Sequence, residues 1–272
     1  MSIDRDALLA SDELLGLAWR AASAAGEFLR RRPSTLEVST KSSVTDAVTE
    51  MDRGAEELIV SILLGARPDD GVLGEEGGER EGSSGVRWVV DPLDGTVNYI
   101  YGLPVWGVSI AAETSGRTVV GVVIAPELGQ AWCAIRGRGA WDVAGPEAVP
   151  VSPTSLTALD RALVATGFSY DAGRRARQGT VMASLLADVR DIRRVGAAVV
   201  DLCWVASGRY DAYVERGLHA WDYAAGALIA QEAGAHVSAL SGDDFASGIL
   251  AACPGIGDEL HRRLLSLGAD RV

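Results

Sequence analysis

The chain has 272 residues, 48% of them apolar, which is enough to bury a large core as one big domain or two of moderate size. Its formal charge of −12 argues against nucleic acid or an anionic membrane surface as a partner, because both require a basic face. The sequence contains no apolar run near the roughly 20 residues of a membrane span and no basic signal-peptide start, so we expect a cytoplasmic protein. Its three cysteines show no paired spacing, which predicts neither disulfides nor a zinc site.

Two helices are predicted at the start of the chain. Helical spacing of apolar residues predicts one long helix over residues 3–32. A polar loop is expected over 34–43. The second helix, over about 50–64, has Thr49 as its N-cap and Asp52 as the acid of a capping box, which explains Asp52 by local structure alone.

The middle of the sequence predicts strands. Short strands are expected at 72–73 and 86–90, and an antiparallel meander at 105–112, 118–124 and 130–135. A loop rich in Gly and Pro, 137–153, is the candidate boundary between an N-terminal α+β part, residues 1–150, and a C-terminal α/β part, residues 151–272.

The second half alternates strand and helix, which is typical of an α/β arrangement. The strands are expected at 162–166, 192–195, 210–214 and 248–252, and the helices at 174–189, 198–207, 221–233 and 257–267. The fold class is therefore mixed α and β.

One stretch combines an apolar strand with polar side chains that suit a reactive site. The strand runs into Asp91-Pro92, and Pro92 has no N–H for a further ladder bond. Asp94-Gly95 then predicts a tight turn. A helix that begins after Gly95 would direct its free N–H groups and the Thr96 hydroxyl toward both acids, where a cation and a phosphate could share a site.

Four acids are placed at strand ends or helix starts: Glu75, Asp91, Asp94 and Asp222. Carboxylates without histidine or cysteine neighbours match the all-oxygen shell of Mg²⁺ or Mn²⁺. Asp222 taken alone is also explained as an ordinary helix cap. An EF-hand that starts at Asp91 is excluded because its third, fifth and twelfth positions are Leu93, Gly95 and Gly102.

Together these segments resemble the inositol monophosphatase family over nearly the whole chain. The matching segments are Gly74-Glu75-Glu76, Trp88-x-x-Asp91-Pro92-Leu93-Asp94-Gly95-Thr96-x-Asn98-Tyr99, Trp221-Asp222-x-Ala224-Ala225-Gly226 and Lys41-x-x-x-x-Asp46-x-x-Thr49-x-x-Asp52. The resemblance implies a layered α-β-α-β-α sandwich of the inositol monophosphatase and fructose-1,6-bisphosphatase type. It also implies a Mg²⁺-dependent hydrolase that cleaves a small phosphate monoester with water, and usually a homodimer.

The resemblance further implies the metal ligands. A first Mg²⁺ would be held by Glu75, Asp91 and the backbone carbonyl of Leu93. A second would be held by Asp91, Asp94 and Asp222. A third ion and replacement by Mn²⁺ stay open.

The implied phosphate site consists of Gly95 and Thr96. Asp46 is expected to hydrogen-bond Thr96 and orient the attacking water, so that Glu75, Thr96 and Asp46 form the catalytic group. Lys41, the only lysine of the chain, corresponds to the lysine of a mobile loop over the site.

The resemblance also implies that Gly196, Ala198 and Glu215 contact the hydroxyl groups of the substrate and so select it. A carboxylate is a suitable acceptor for a vicinal diol. Myo-inositol 1-phosphate is the favoured substrate. Fructose 1,6-bisphosphate, histidinol phosphate and 3′-phosphonucleotides stay open, and the competing class is a non-catalytic binding or regulatory protein that retains the fold.

Overall fold

A computed structural model of the chain describes residues 2–40 and 47–272. The helices are α1 (Arg5–Ala10), α2 (Glu13–Arg30), α3 (Glu50–Ala66), α4 (Thr96–Tyr101), α5 (Ala172–Leu185), α6 (Ala198–Ala206), α7 (Ala220–Glu232) and α8 (Gly257–Ser266). The strands are β1 (Ile3–Asp4), β2 (Val38–Thr40), β3 (Ala47–Thr49), β4 (Gly71–Gly74), β5 (Gly78–Arg80), β6 (Val86–Asp94), β7 (Gly107–Thr114), β8 (Arg117–Ala125), β9 (Gln130–Ile135), β10 (Gly139–Asp142), β11 (Glu147–Pro150), β12 (Leu163–Thr166), β13 (Asp191–Arg193), β14 (Ala212–Glu215), β15 (His236–Ala239) and β16 (Ile249–Ala252). No helix in these two ranges is both long and apolar enough to cross a membrane.

These strands form two large sheets and a small one. The first sheet has nine strands in the order β1-β11-β10-β9-β8-β7-β6-β4-β5, and the second has five in the order β13-β12-β14-β16-β15. Strands β2 and β3 pair with each other. The predicted meander is confirmed, because β7 pairs antiparallel with β8 and β8 with β9.

Each large sheet is covered on both faces, which produces the layers. Successive side chains of a strand point to opposite faces. Accordingly, Trp88 and Val90 of β6 pack into one core with α2 and α3, while Val89 packs into a second core with α6 and α7. In the second sheet, Tyr213 joins the core of α6 and α7, and Val214 joins a third core with α5 and α8. The predicted α-β-α-β-α sandwich is thus confirmed.

The single helix predicted over 3–32 is wrong, because the structure has two helices there. Helix α1 ends at Ala10, and the Asp12 carboxylate accepts a hydrogen bond from the Leu15 N–H at 3.1 Å, which begins α2. An aspartate that caps a new helix outweighs the continuing apolar periodicity, because it satisfies N–H groups that a helix start leaves unpaired.

Several predicted loops contain strands. The stretch 137–153 contributes β10 and β11 to the nine-stranded sheet, and β2 lies in the loop predicted at 34–43. Strand β15 was not predicted at all. Each of these strands has only three or four residues, so its sequence carries little periodicity and pairing with neighbours decides its conformation. The domain boundary at residue 150 stays a prediction.

Candidate active site

A cavity of about 400 Å³ lies where the end of β6 meets the starts of α6 and α7 and the end of β14. Ten of the predicted site residues line it: Glu75, Asp91, Leu93, Asp94, Gly95, Thr96, Gly196, Ala198, Glu215 and Asp222. The other two, Lys41 and Asp46, lie outside the described residues. Tertiary structure therefore brings together acids that are separated by as much as half of the chain.

A bulge at the end of β6 directs two acids into this cavity. Asp91 pairs with Ser109 of β7, the register then shifts across Pro92 and Leu93, and pairing resumes between Asp94 and Gly107. The strand thus continues past Pro92, beyond its predicted end. A bulge adds residues on one strand and re-aims side chains there. The Leu93 N–H donates to the Asp91 carboxylate at 3.0 Å, which fixes the buried acid against the turn.

The turn after the bulge requires glycine. Gly95 has φ +89°, and an added Cβ would lie 3.1 Å from the carbonyl oxygen of Val105 and 3.3 Å from that of Gly196. A left-handed backbone and this close approach both disfavour any side chain. Gly95 therefore lies directly against the segment predicted to select the substrate.

Asn98 joins the same two segments, a role that the sequence did not indicate. Its Nδ2 donates to the carbonyl oxygens of Val105 at 2.6 Å and Val195 at 2.8 Å. The available signal was Asn98 itself, which lies two residues after Thr96 in the segment that resembles the family. A side-chain amide can donate two hydrogen bonds to loop carbonyls.

Two of the predicted metal acids also hold helix starts. The Val199 N–H, in the first turn of α6, donates to the Asp94 carboxylate at 2.7 Å, and the His219 N–H donates to Asp222 at 2.6 Å before α7. For Asp222 the cap and the cavity position thus occur together. Both helices begin at the cavity because their first turns are satisfied by acids that line it.

These carboxyl groups crowd negative charge in a buried place. Burial raises the pKa of Asp91 well above its ordinary value, and the neighbouring carboxylates of Glu75, Asp94 and Asp222 raise it further. Burial raises the pKa of Asp94 to about 8 although the Val199 N–H opposes the shift, and burial likewise raises the pKa of Asp222. Asp91 is buried, whereas Asp94 and Asp222 keep part of their surface exposed.

The donor set fits divalent cations, although no coordination shell is preformed. In the described part of the chain, no group of three His, Cys, Asp or Glu side chains is arranged to hold a metal ion as it stands. The cavity is nonetheless lined by several acids and by Leu93, and carboxylate and carbonyl oxygens are ligands of the kind Mg²⁺ prefers. Cations would also offset the charge that raises the pKa of these acids.

Asp52 is the main site residue that the sequence reasoning missed. The predicted capping box is confirmed, with the Thr49 N–H donating to the Asp52 carboxylate at 2.9 Å. The other oxygen of Asp52 accepts a hydrogen bond from the Thr96 hydroxyl at 2.8 Å. Asp52 therefore makes the contact that the sequence assigned to Asp46. Its place in the segment that carries the family resemblance was the available signal.

The substrate side of the cavity contains a further, partly buried acid, Glu215. The Tyr213 hydroxyl donates to the Glu215 carboxylate at 2.6 Å, and burial raises the pKa of Glu215 although this hydrogen bond opposes the shift. Arg174 and Arg194 line the same cavity. This side thus offers a carboxylate acceptor and guanidinium donors to a bound alcohol.

Comparison with known proteins identifies relatives over most of the chain. The sequence model of the inositol monophosphatase family matches residues 10–267. The inositol-1-monophosphatase SuhB of Mycobacterium tuberculosis is 44% identical over 232 residues, which cover 82% of this chain and 79% of that protein. The Nus factor SuhB of Pseudomonas aeruginosa is 43% identical over 237 residues, which cover 84% of this chain and 86% of that protein.

A solved structure gives the same result for the fold. The extragenic suppressor protein suhB of Bartonella henselae superposes with a TM-score of 0.87 at 36% identity, and the match covers 93% of this chain and 98% of that one.

Proposed function

Because the chain belongs to the inositol monophosphatase family, we propose that it is a Mg²⁺-dependent phosphatase that hydrolyses a small phosphate monoester, with myo-inositol 1-phosphate as its substrate. The observation that carries the proposal is the convergence of Asp91, Asp94, Asp222 and Glu75 on one cavity beside Gly95 and Thr96. Hydrolysis of a phosphate ester by this route requires cations, oxygen ligands that bind the cations, and hydrogen-bond donors that bind the phosphate. The cavity supplies the oxygen ligands and the hydrogen-bond donors.

The residues that would hold Mg²⁺ are Glu75, Asp91 and the Leu93 carbonyl for one ion, and Asp91, Asp94 and Asp222 for another. When bound, such ions polarise the phosphoryl group and lower the pKa of water. The bulge of β6 and the starts of α6 and α7 hold Asp91, Asp94 and Asp222 at the cavity through backbone hydrogen bonds.

Thr96 would orient the attacking water. Its single hydroxyl hydrogen is committed within the protein, since its oxygen lies 2.8 Å from the Asp52 carboxylate and 3.0 Å from the Leu93 carbonyl. The hydroxyl oxygen then keeps lone pairs to accept a hydrogen bond from water. Glu75 would take the proton from that water, and Gly95 would contribute its N–H to the phosphate. We thus assign to Asp52 the orienting role that the sequence suggested for Asp46.

Glu215 supports a polyol as the alcohol part of the substrate. Its carboxylate lines the cavity with Gly196 and Ala198, within the same space as the phosphate site. An acceptor beside a short, small-residue segment suits adjacent hydroxyl groups. The competing substrates are other small phosphate esters: fructose 1,6-bisphosphate, histidinol phosphate and a 3′-phosphonucleotide.

Phosphate release from a panel of these esters, with Mg²⁺, Mn²⁺ or EDTA, tests the proposal. We expect turnover that requires the metal and is fastest on inositol 1-phosphate. Asp91→Asn is expected to reduce kcat by about 10³-fold or more, since a shared ligand serves both ions. Asp160→Asn, at an exposed acid outside the cavity, is the matched control. Turnover that persists in EDTA, or none on any ester, would refute the phosphatase.

A second candidate is a role through a partner surface, with or without catalysis. It rests on the name of the Pseudomonas aeruginosa relative, a Nus factor, whose identity to this chain nearly equals that of the Mycobacterium tuberculosis enzyme. Affinity capture from the native host with the wild type and Asp91→Asn separates the two functions. A partner retained by both proteins indicates binding that does not depend on the phosphatase site. Sedimentation of the purified chain tests the homodimer that the family suggests.

A further inference from the structure

We propose that Glu56 is a positioning residue of this site: its carboxylate holds the turn after β4 and thereby fixes where Glu75 enters the cavity. The role of Glu75 as a metal ligand rests on the proposed function. The contacts that support the role of Glu56 are all made within the protein. Glu56 does not line the cavity, and its effect would pass through the backbone of the turn.

Helix α3 directs two acids toward the site from one face. Asp52 and Glu56 are four residues apart, so their side chains lie one above the other along the helix. Both are almost fully buried, at 0% and 5% exposure. Asp52 holds the Thr96 hydroxyl, as described above, whereas Glu56 holds the backbone of the segment that carries Glu75.

The Glu56 carboxylate receives two consecutive backbone donors. The N–H of Glu76 donates to one of its oxygens at 2.9 Å, and the N–H of Gly77 donates to the other at 2.5 Å. Two neighbouring amides that point to one carboxylate form a small anion-binding nest. Charged acceptors make hydrogen bonds about twice as strong as neutral ones, so the pair can define the turn.

Glycines on both sides of the turn make room for this carboxylate. A Cβ on Gly74 would lie 2.6 Å from one Glu56 oxygen, and a Cβ on Gly77 would lie 2.7 Å from the other. Neither glycine has a left-handed backbone, so the requirement is space and not conformation. The two glycines of the Gly-Glu-Glu-Gly segment thus leave space for the Glu56 carboxylate.

Glu75 is consequently held from both directions. Its own N–H donates to the Val90 carbonyl at 3.3 Å, which continues the pairing of β4 with β6, and the next two N–H groups are held by Glu56. The backbone around Glu75 has little freedom while both anchors are intact. Release of one anchor would let the Glu75 carboxylate leave its place beside Asp91.

The experiment compares Glu56→Gln with Glu57→Gln, which changes the adjacent, exposed glutamate of the same helix. Hydrogen–deuterium exchange of the metal-free protein reports the turn directly. Calorimetric titration with Mn²⁺ reports the metal site, and the kinetics of phosphate release report the reaction. Gly74→Ala disturbs the same contact from the other side without changing charge.

We expect Glu56→Gln to accelerate exchange in the segment 74–80 and leave exchange in α6 and α7 unchanged. We also expect it to weaken Mn²⁺ binding about 10- to 100-fold, the range found for residues that support metal ligands. Gly74→Ala should reproduce both effects, and Glu57→Gln neither. Wild-type exchange at 74–80 together with wild-type Mn²⁺ affinity in folded Glu56→Gln would overturn the proposal.

The kinetics separate this proposal from the proposed function. If the wild type releases no phosphate from any ester, the phosphatase fails, while exchange and Mn²⁺ binding still decide the role of Glu56. If exchange accelerates throughout the protein in Glu56→Gln and Gly74→Ala alike, Glu56 supports the fold in general and the positioning role is refuted.

Discussion

At the scale of single residues, the site is dominated by carboxyl groups that destabilise one another. Asp91 is 1% exposed and lies among the negative charges of Glu75, Asp94 and Asp222. Without cations, the folded chain lowers this repulsion by holding protons that the unfolded chain would release. Such a cluster opposes folding at high pH and favours whatever cation offsets its charge, so stability and metal binding are linked.

The pKa of Asp94 shows in which direction, and over which pH range, the stability of the metal-free protein changes. Its pKa rises on folding from 3.8 to about 8, mainly through burial. Between these values the folded protein binds more protons than the unfolded chain, so the free energy of unfolding decreases as pH increases. In EDTA we expect a loss of about 2–3 kcal/mol from pH 6 to pH 8, or roughly 4–5 °C in Tm. Thermal denaturation at the two pH values measures it.

The Asp94→Asn variant is the control for this pH effect. It removes one titrating group, so the difference in Tm between pH 6 and pH 8 should shrink. Saturating Mg²⁺ should shrink the difference in the wild type as well, because the bound charge favours ionised acids. A metal-free wild type that is equally stable or more stable at pH 8 would contradict the prediction.

At the scale of one element, the start of α3 serves folding and the site at once. The Thr49–Asp52 capping box begins the helix, and the same aspartate holds the Thr96 hydroxyl from 44 positions away. Burial raises the pKa of Asp52, while the hydrogen bonds from Thr49 and Thr96 oppose the shift. The element thus joins a local signal to a contact that only the tertiary structure makes.

Two substitutions separate these functions of α3. Asp52→Asn weakens both the cap of α3 and the contact with the Thr96 hydroxyl. We expect kcat to fall about 10- to 100-fold because the group that orients Thr96 is altered. Thr49→Ala removes the hydroxyl that accepts from the Met51 N–H and donates to the Asp52 carboxylate, whereas Asp52 keeps its hydrogen bonds from the backbone N–H of residue 49 and from the Thr96 hydroxyl. It should cost about 1 kcal/mol of stability and leave kcat within about twofold of the wild type. Steady-state kinetics and urea unfolding measure both, and an equal loss of kcat in the two variants would refute the assignment.

At the scale of the whole molecule, the layers must approach closely for the acids to meet. Helix α7 carries Asp222 and packs on the first sheet, and a Cβ on Gly121 of β8 would lie 2.9 Å from the Ala225 carbonyl oxygen. Backbone atoms on both sides prevent local adjustment. The distance between sheet and helix therefore influences where Asp222 lies relative to Asp91.

Gly121→Ala tests this dependence. We expect a loss of about 1–3 kcal/mol in the free energy of unfolding, because an added methyl in a filled interface forces backbone shifts. Binding of Mn²⁺ should weaken in parallel as α7 moves. Gly65→Ala, at an exposed position of α3 with no heavy atom within 4 Å of the new Cβ, should be neutral or stabilise by up to about 1 kcal/mol. Denaturant unfolding and calorimetry measure both, and an unchanged Gly121→Ala protein would contradict the expectation.

Much of the fold could be predicted, because its signals are local. The meander, the helices of the second half and the Thr49 cap follow from alternation, helical spacing and capping residues. The break at Asp12 and the strands β10 and β11 were missed. A cap competes with continuing periodicity, and a strand of four residues depends on its neighbours for pairing.

The sequence by itself determined which residues are candidates for the site. It supplied the acids Glu75, Asp91, Asp94 and Asp222, the Gly95 turn and the resemblance to the family, all through spacing along the chain. Only the tertiary structure decided the pairings: Thr96 with Asp52, Asp94 with the start of α6, and Glu56 with the turn after Gly74. The physical reason is that spacing fixes neighbours within an element, whereas the packing of layers selects which distant donors reach a buried carboxylate.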